Sequence, residues 1–250
     1  MPHLFAGTSG FAYSSWKPTF YPAELPSTKF LEYYGRRLNC VEINYTFRRL
    51  PAPSTLENWV RATQPGFTFC VKAHMRITHI LQLQNASDFT DLFLQSLEPL
   101  HVAQRLGPIL FQLPPQFPCD SIVLDAFLKG LRRDLRYAFE FRHASWLAPP
   151  VYQLLEKHRV ALCLAESEKL KVPEVVTADF VYYRFRRAEY SPEDRKRISA
   201  KVDTLLSQGK DVFLFFKHEE TPAGAFYAEE LLKKTECGEL PAKMDKIAMT

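Results

Sequence analysis

Apolar positions along this chain gather in short runs, and the stretches between the runs carry helical spacing. The runs are LFAGTSG from Leu4, CVEIN from Cys40, FTFCVKA from Phe67 and PILFQLP from Pro108, then YAFEFR from Tyr137, VALCLAE from Val160, FVYYRF from Phe180 and DVFLFF from Asp211. Each is short and rich in Val, Ile, Phe and Tyr, the pattern of a strand buried on both faces. Helix-start signals stand between most of them: Ser27 ahead of TKFLEYYGRRL, Ser54 ahead of TLENWVRAT, and Ser191-Pro192 ahead of EDRKRISAKVDTLLSQG. Eight strand-helix alternations in 250 residues predict an α/β fold, a single parallel (β/α)8 TIM-type barrel over residues 1–235. The rival is an open doubly wound sheet. That fold usually carries a glycine-rich phosphate loop after the first strand, and GTSGFAYSSW matches neither GxGxxG nor a Walker loop. After the sixth strand, SEKLKVPEVVTA leaves room for only about two helical turns, so the covering helix there is reduced or replaced by loop. Periodicity fades after Lys234, and residues 236–250 read as a loosely held tail.

Polar residues sit where the strands end. In RYAFEFRHASW the two-residue period of a strand puts Phe139 and Phe141 on one face, with Ala138, Glu140 and Arg142 on the other. In a closed barrel the active site lies at the C-terminal strand ends, and the polar residues gather there. They are Thr8 and Ser9, Glu42 and Asn44, Lys72, Gln112, Glu140 and Arg142, Glu166, Arg184 and Arg186, and Lys217 with His218. One Glu-Arg pair at a strand end is as readily structural as catalytic. Seven consecutive strands, the second through the eighth, ending in ionisable or amide side chains argue for a functional pocket. Ala138 is then expected low in the barrel, Glu140 and Arg142 near its mouth, and the two phenylalanines against the helices.

Charge refines this picture only slightly. The net charge of +4 and pI near 8.7 favour anionic ligands but fall short of the dense basic stripe of a dedicated nucleic-acid binder. The start MPHLFAGTSG has no basic region ahead of a long apolar run, and no stretch reaches the roughly 18 apolar residues of a membrane span. A soluble, cytoplasmic protein with no membrane partner is expected. Cys40, Cys70, Cys119, Cys163 and Cys237 are widely separated, which fits neither a disulfide framework nor a CxxC metal site.

The cluster joins Glu42, Glu140 and Glu166 to Lys72, Arg142 and Arg184, with the amides Asn44 and Gln112. Arg142 and Arg184 are candidates for gripping a phosphate or carboxylate. Lys72, Glu140 and Glu42 are the candidate catalytic, proton-transfer groups, Lys72 being also a candidate amine nucleophile. A pair of the glutamates would also suit a glycosidase, although the surrounding cations favour sugar phosphates over neutral glycans. His79 and His218 are the histidines best placed near strand ends, ahead of His74 and His143. No HxH or HExxH spacing occurs, so no tightly bound zinc cluster and no metal ligand set is expected; carboxylate-bound magnesium is left open, and the cofactor is unknown. Tyr13, Trp16, Phe20, Tyr21, Phe47 and Trp146 are placed either to stack on a bound ring or to cap the core beneath long loops.

With those residues in view, the chain resembles the family called domain of unknown function 72, or YecE-like. The resemblance runs from Gly7 to about Tyr227 and rests on GTSGFAYSSW with FYP, NCVEINYTFRRLP, PGFTFCVKA followed by ITH, LGPILFQLPP, YAFEFRHASW and ALCLAE. It implies a parallel (β/α) barrel and brings no activity with it. Its pattern marks Glu42, Asn44, Thr46, Lys72, His79, Gln112, Glu140, Arg142 and Trp146. The sequence departs from it at Phe11, where the family tends to have Trp, at Arg48, where it tends to have Tyr, and at Lys217-His218, where it tends to have Asn-Asn.

The expected function is an enzyme of hydrolase or lyase/isomerase type, using acid-base chemistry on a small anionic, phosphorylated or carboxylated, substrate. Asn44, Thr46, His79, Gln112, Arg142, Trp146, Glu166 and Arg184 are its expected substrate contacts. The alternative is a nucleic-acid-binding or repair-type protein with an architecture like that of endonuclease IV, in which the mouth holds a displaced base. A scaffold for protein interaction is the third reading, and nothing in the sequence favours it.

Overall fold

Each apolar run forms a strand, and the strands come in the order their sequence predicts. The computed structural model describes residues 1–217 and 220–237, the side chains of 236 and 237 excepted. The strands are β1 (Leu4–Thr8), β2 (Cys40–Ile43), β3 (Thr68–Lys72), β4 (Leu106–Gln112), β5 (Tyr137–Glu140), β6 (Ala161–Ala165), β7 (Phe180–Phe185) and β8 (Asp211–Phe216). They pair in parallel in the order β1-β8-β7-β6-β5-β4-β3-β2, which is a nearly closed (β/α)8 barrel. Among the described residues no helix is long and apolar enough to cross a membrane.

The side-chain period then sorts the barrel wall. Cys40, Cys70, Leu110, Ala138, Cys163 and Tyr182 fill the interior together with Phe180, Phe213 and Phe215, the last two in register with Tyr182 and Arg184. Their neighbours in sequence, among them Val41, Val71, Phe111 and Phe139, join the layer between strands and helices. Phe139 and Phe141 face outward as the alternation requires, and Ala138 lies inside below Glu140.

The covering helices are α1 (Phe30–Gly35), α2 (Pro53–Ala62), α3 (Ser87–Ser96), α4 (Glu98–Val102), α5 (Ser121–Gly130), α6 (Pro149–His158), α7 (Pro192–Ser207) and α8 (Ala223–Cys237). Ser191 caps α7 as its sequence predicts, in a capping box with Asp194. Ser54 does not cap α2. Pro53 takes the first helical position, whose missing N–H needs no partner there, so Ala52 becomes the cap. Nor does Ser27 cap α1: it opens a short 3-10 turn ahead of the helix. Between β6 and β7, residues 166–179 contain no helix, the full form of the expected reduction. Helix α8 runs two residues into the expected tail; residues 238–250, like His218, lie outside the described residues.

The barrel closes between β1 and β2 by an unusual seam. One isolated bridge, Ser9 opposite Glu42, which includes the bond from the Gly10 N–H to the Glu42 carbonyl (2.8 Å), joins the strands directly. Side chains supply the rest. Asn39 accepts from the Ala6 N–H (3.0 Å) and donates to the Leu4 carbonyl (2.8 Å). The Tyr34 hydroxyl accepts from the Thr8 N–H (2.9 Å) and donates to the Cys40 carbonyl (3.1 Å). Gly7 permits this approach, because a Cβ there would lie 1.9 Å from the Cys40 oxygen. Gly7→Ala is expected to force the seam apart at a cost of roughly 1–3 kcal/mol. A urea unfolding curve would show it as a lower midpoint, and an unchanged midpoint would refute the close approach.

Candidate active site

The strand periodicity that sends Cys40, Cys70, Ala138 and Tyr182 inside sends Glu42, Lys72, Glu140 and Arg184 into the next layer up, toward the C-terminal mouth. Four of the polar residues form one chain of bonds. Arg184, buried to 1% exposure, donates from Nη2 to Glu42 Oε1 (2.7 Å) and from Nη1 to Glu140 Oε2 (2.5 Å). Arg186 donates from Nη2 to the other Glu140 oxygen (2.5 Å). The Glu42 carboxylate also accepts from Ser9 Oγ (2.6 Å) and Tyr182 Oη (2.8 Å). Two carboxylates and two guanidiniums thus balance in charge across the barrel.

This arrangement commits three of the expected site residues to one another. Glu42 is fully buried with both oxygens engaged, which suits holding Arg184 rather than moving a proton. Burial alone would raise the Glu140 pKa, but Arg184 and Arg186 outweigh it and hold the group at about 2, too acidic for a base near neutral pH. Arg184 gives both Nη groups to the two carboxylates, while its buried Nε makes no hydrogen bond among the described residues. Among the described residues no three His, Cys, Asp or Glu side chains gather as metal ligands.

Lys72 is placed differently. Its Nζ donates to Gln112 Oε1 (2.8 Å) and sits 3.9 Å from the centre of the Phe47 ring, with no carboxylate at ion-pair distance among the described residues. Gln112 passes the contact on, donating to Glu140. Desolvation first, and the positive Arg184 second, lower the Lys72 pKa to about 8, against the pull of Glu140 and Glu42. The amine is therefore partly neutral near physiological pH.

Around Lys72 lies a pocket of about 460 Å³ lined by Asn44, Tyr45, Phe47, Arg48, Arg49 and Lys217. Arg48 and Arg49 are exposed and take part in no ion pair among the described residues. His79, on the turn after β3, packs edge-on against Phe47 at 5.0 Å and hydrogen-bonds through Nδ1 to Thr78 Oγ1 (2.8 Å). Burial, then Lys72 and Arg142, lower its pKa, so it stays neutral near pH 7.

The remaining expected contacts divide by exposure. Asn44 lines the pocket, but it follows the end of β2 with a helical backbone, so strand parity does not aim it. Arg142 stands beyond the end of β5, 41% exposed, its Nε 3.7 Å from Glu140. Glu166 accepts from the Arg186 and Arg187 backbone N–H groups and from the Tyr190 hydroxyl, which ties down the turn after β7. Thr46 and Trp146 are fully buried and line neither the Lys72 pocket nor the surface around it. Thr46 Oγ1 donates to the Lys72 carbonyl (2.6 Å) and so fixes the end of β3. Trp146 stacks on Phe141 at 4.9 Å and donates to the Phe117 carbonyl. Of the aromatics proposed as a stacking wall, Trp16, Phe20 and Tyr21 are buried as well, and Phe47 is the one that lines the Lys72 pocket.

A family model described as "Protein of unknown function DUF72" matches residues 5–246. The chain belongs to the DUF72 family. It is 37% identical to the UPF0759 protein YecE of Escherichia coli (strain K12) over 119 residues, 47% of this chain and 43% of that protein. It is 30% identical to the UPF0759 protein YunF of Bacillus subtilis (strain 168) over 141 residues, 54% of this chain and 50% of that protein. The matched stretch spans about half the length of these curated relatives. The crystal structure of a DUF72 family protein from Thermotoga maritima superposes with a TM-score of 0.81 at 29% identity, over 94% of this chain and 99% of that one. The DUF72 barrel is thus shared nearly from end to end.

Tyr182, Tyr45 and Arg49 of this DUF72 site escape a reading of strand ends, as do the bonding partners of Ser9 and Arg186. Tyr182 lies two residues before Arg184 on the same face, a signal available to parity but masked by the apolar FVYYRF context. Ser9 and Arg186 are strand-end residues whose bonds, to Glu42 and Glu140, depend on strands far away in sequence. Tyr45 and Arg49 follow β2 in a short turn that periodicity does not reach.

Proposed function

We propose that this DUF72 barrel is an enzyme that binds a small phosphorylated or carboxylated substrate in the Lys72 pocket and transfers a proton through the Lys72 amine. One observation carries the reading: Lys72 lies in a pocket with three further basic residues, Arg48, Arg49 and Lys217, and its own amine is held by an amide and a ring rather than a carboxylate. Cations gathered this way favour an anion, and an amine without a salt bridge suits a base. The neutral amine takes a proton from the substrate and the resulting ammonium returns it; the neutral His79 imidazole is the second group within the same surroundings. With Glu42 and Glu140 engaged by arginines, lyase or isomerase-type proton transfer suits the site better than carboxylate-assisted hydrolysis. The reading assumes a cytoplasmic setting, which agrees with the unbridged thiols of Cys40, Cys70 and Cys163.

Thermal-shift measurements with inorganic phosphate, sugar phosphates and keto acids test it. Ligand at about a hundred times its dissociation constant adds roughly 2.7 kcal/mol, a shift of several degrees for a domain of this size. The expected result is a shift with one metabolite class, lost in Arg48→Gln with Arg49→Gln. A shift with short DNA alone that fades with added salt would replace this reading with nucleic-acid binding.

A further inference from the structure

A second groove opens across the barrel from the Lys72 pocket. It occupies about 1240 Å³ between the outer faces of β6 and β7, helix α7 and the helix-free residues 166–174, reaches the mouth at Arg142 and Arg186, and shares no lining residue with the pocket. The pocket belongs to β2, β3 and β8 instead. Glu140 stands between the two, linked through Gln112 to Lys72 and directly to Arg186.

Charge in the groove is unevenly committed. Glu166, Glu174 and Asp194 are each paired, with Arg187, Lys201 and both Arg187 and Arg197 respectively. Lys169 and Lys171 are exposed and have no ion-pair partner among the described residues; Glu168 is the one acid in the lining left likewise. Arg142 is 41% exposed and meets Glu140 only at 3.7 Å. Arg186 gives one Nη to Glu140, and its other Nη makes no hydrogen bond among the described residues. Glu140 cannot neutralise both neighbouring guanidiniums, since its second oxygen is taken by Arg184. A positive excess therefore remains at the groove's inner end.

Resting on the anion reading of the Lys72 pocket, we propose that the substrate is two-ended. One anionic group sits with Arg48, Arg49 and Lys72; a second, on the same molecule, sits against Arg142 and Arg186 in the groove. The part between them passes over the Glu140 rim beside the Lys72 amine, where the proton would move. Two cationic subsites flanking one amine select against molecules with a single charge, because the second contact is made at high effective concentration only when one molecule spans both.

Calorimetric titration with alkyl phosphonates and with α,ω-alkylene bisphosphonates of increasing chain length tests this. The expected result is that bisphosphonates of a preferred length bind at least about tenfold more tightly than the matching monophosphonates. Arg142→Gln, at an exposed position, should remove that gain and leave monophosphonate affinity unchanged. Equal affinities at every length, beyond the twofold statistical factor, would overturn the two-ended substrate while leaving the anion pocket standing. So would a gain indifferent to Arg142→Gln. Failure of both series to bind would overturn the anion reading itself, and this inference with it.

Discussion

Arg184→Met is expected to lower the stability of this barrel by about 3–5 kcal/mol, because it leaves Glu42 and Glu140 buried without their shared counter-ion. For a domain of this size that is a fall on the order of 10 °C in melting temperature. Both carboxylates are almost fully buried, so neither can recover by turning to water. Glu140 keeps Arg186, and Glu42 keeps only the hydroxyls of Ser9 and Tyr182. The worst-placed charge in the variant is therefore on Glu42. Adding Glu42→Gln to Arg184→Met is expected to restore part of the loss, although Glu42→Gln alone should destabilise. That reversal of sign is a coupling which a double-mutant cycle on melting or urea curves measures directly. A loss below about 1 kcal/mol in Arg184→Met, or additive effects in the pair, would show that the buried network does not hold the barrel as described.

Lys72→Met is expected to do the opposite to stability while abolishing anion binding. A lysine whose folded pKa is depressed from 10.5 to about 8 is one whose charged form the fold disfavours. The sign follows from proton binding. Between about pH 8 and pH 10.5 the unfolded chain binds more protons than the native one at this site, so stability rises with pH across that window. Below it the full penalty applies. The shift corresponds to an upper figure of roughly 3 kcal/mol, but solvent reaches the half-buried amine, and methionine loses the Gln112 bond and the Phe47 contact. A gain on the order of 1 kcal/mol, or a few degrees, should survive at pH 7. Melting curves of both proteins from pH 6 to pH 10.5 should show the advantage of methionine shrinking as the pH rises through 8. An advantage that grew with pH, or a variant less stable at pH 7, would contradict the lowered pKa.

The sequence disclosed the barrel more completely than it disclosed the site. Eight apolar runs became eight strands because runs buried on both faces are short, separate and continuous, and little else in a chain resembles them. The parity of YAFEFR placed Ala138, Phe139, Glu140 and Phe141 correctly because β5 is regular through Glu140. Alternation ends with the strand, and Arg142 and Asn44 lie past it; Arg142 nevertheless stands 3.7 Å from Glu140, and Asn44 lines the Lys72 pocket. The contrast between Arg184 and Lys72 was beyond reach for another reason. Both are cations at strand ends, and what separates them is the identity of neighbours 25 to 142 residues away in the chain: Glu42 and Glu140 for one, Gln112 and Phe47 for the other. Thr46 and Trp146 show the converse, where residues marked by the family pattern serve backbone and packing beneath the mouth.

The seam between β1 and β2 gives the barrel a clasp. Elsewhere around the ring, parting two strands means breaking a ladder of backbone bonds together, so strain on one strand is shared with the next. At the seam much of the load passes through the amide of Asn39 and the hydroxyl of Tyr34, which release by turning a side chain. The top of the clasp is Ser9 against Glu42, and Glu42 is also an anchor of Arg184. Circumferential slack and the tension of the charged network are therefore set at the same carboxylate, so a barrel that loosens at this joint loosens first under its own mouth.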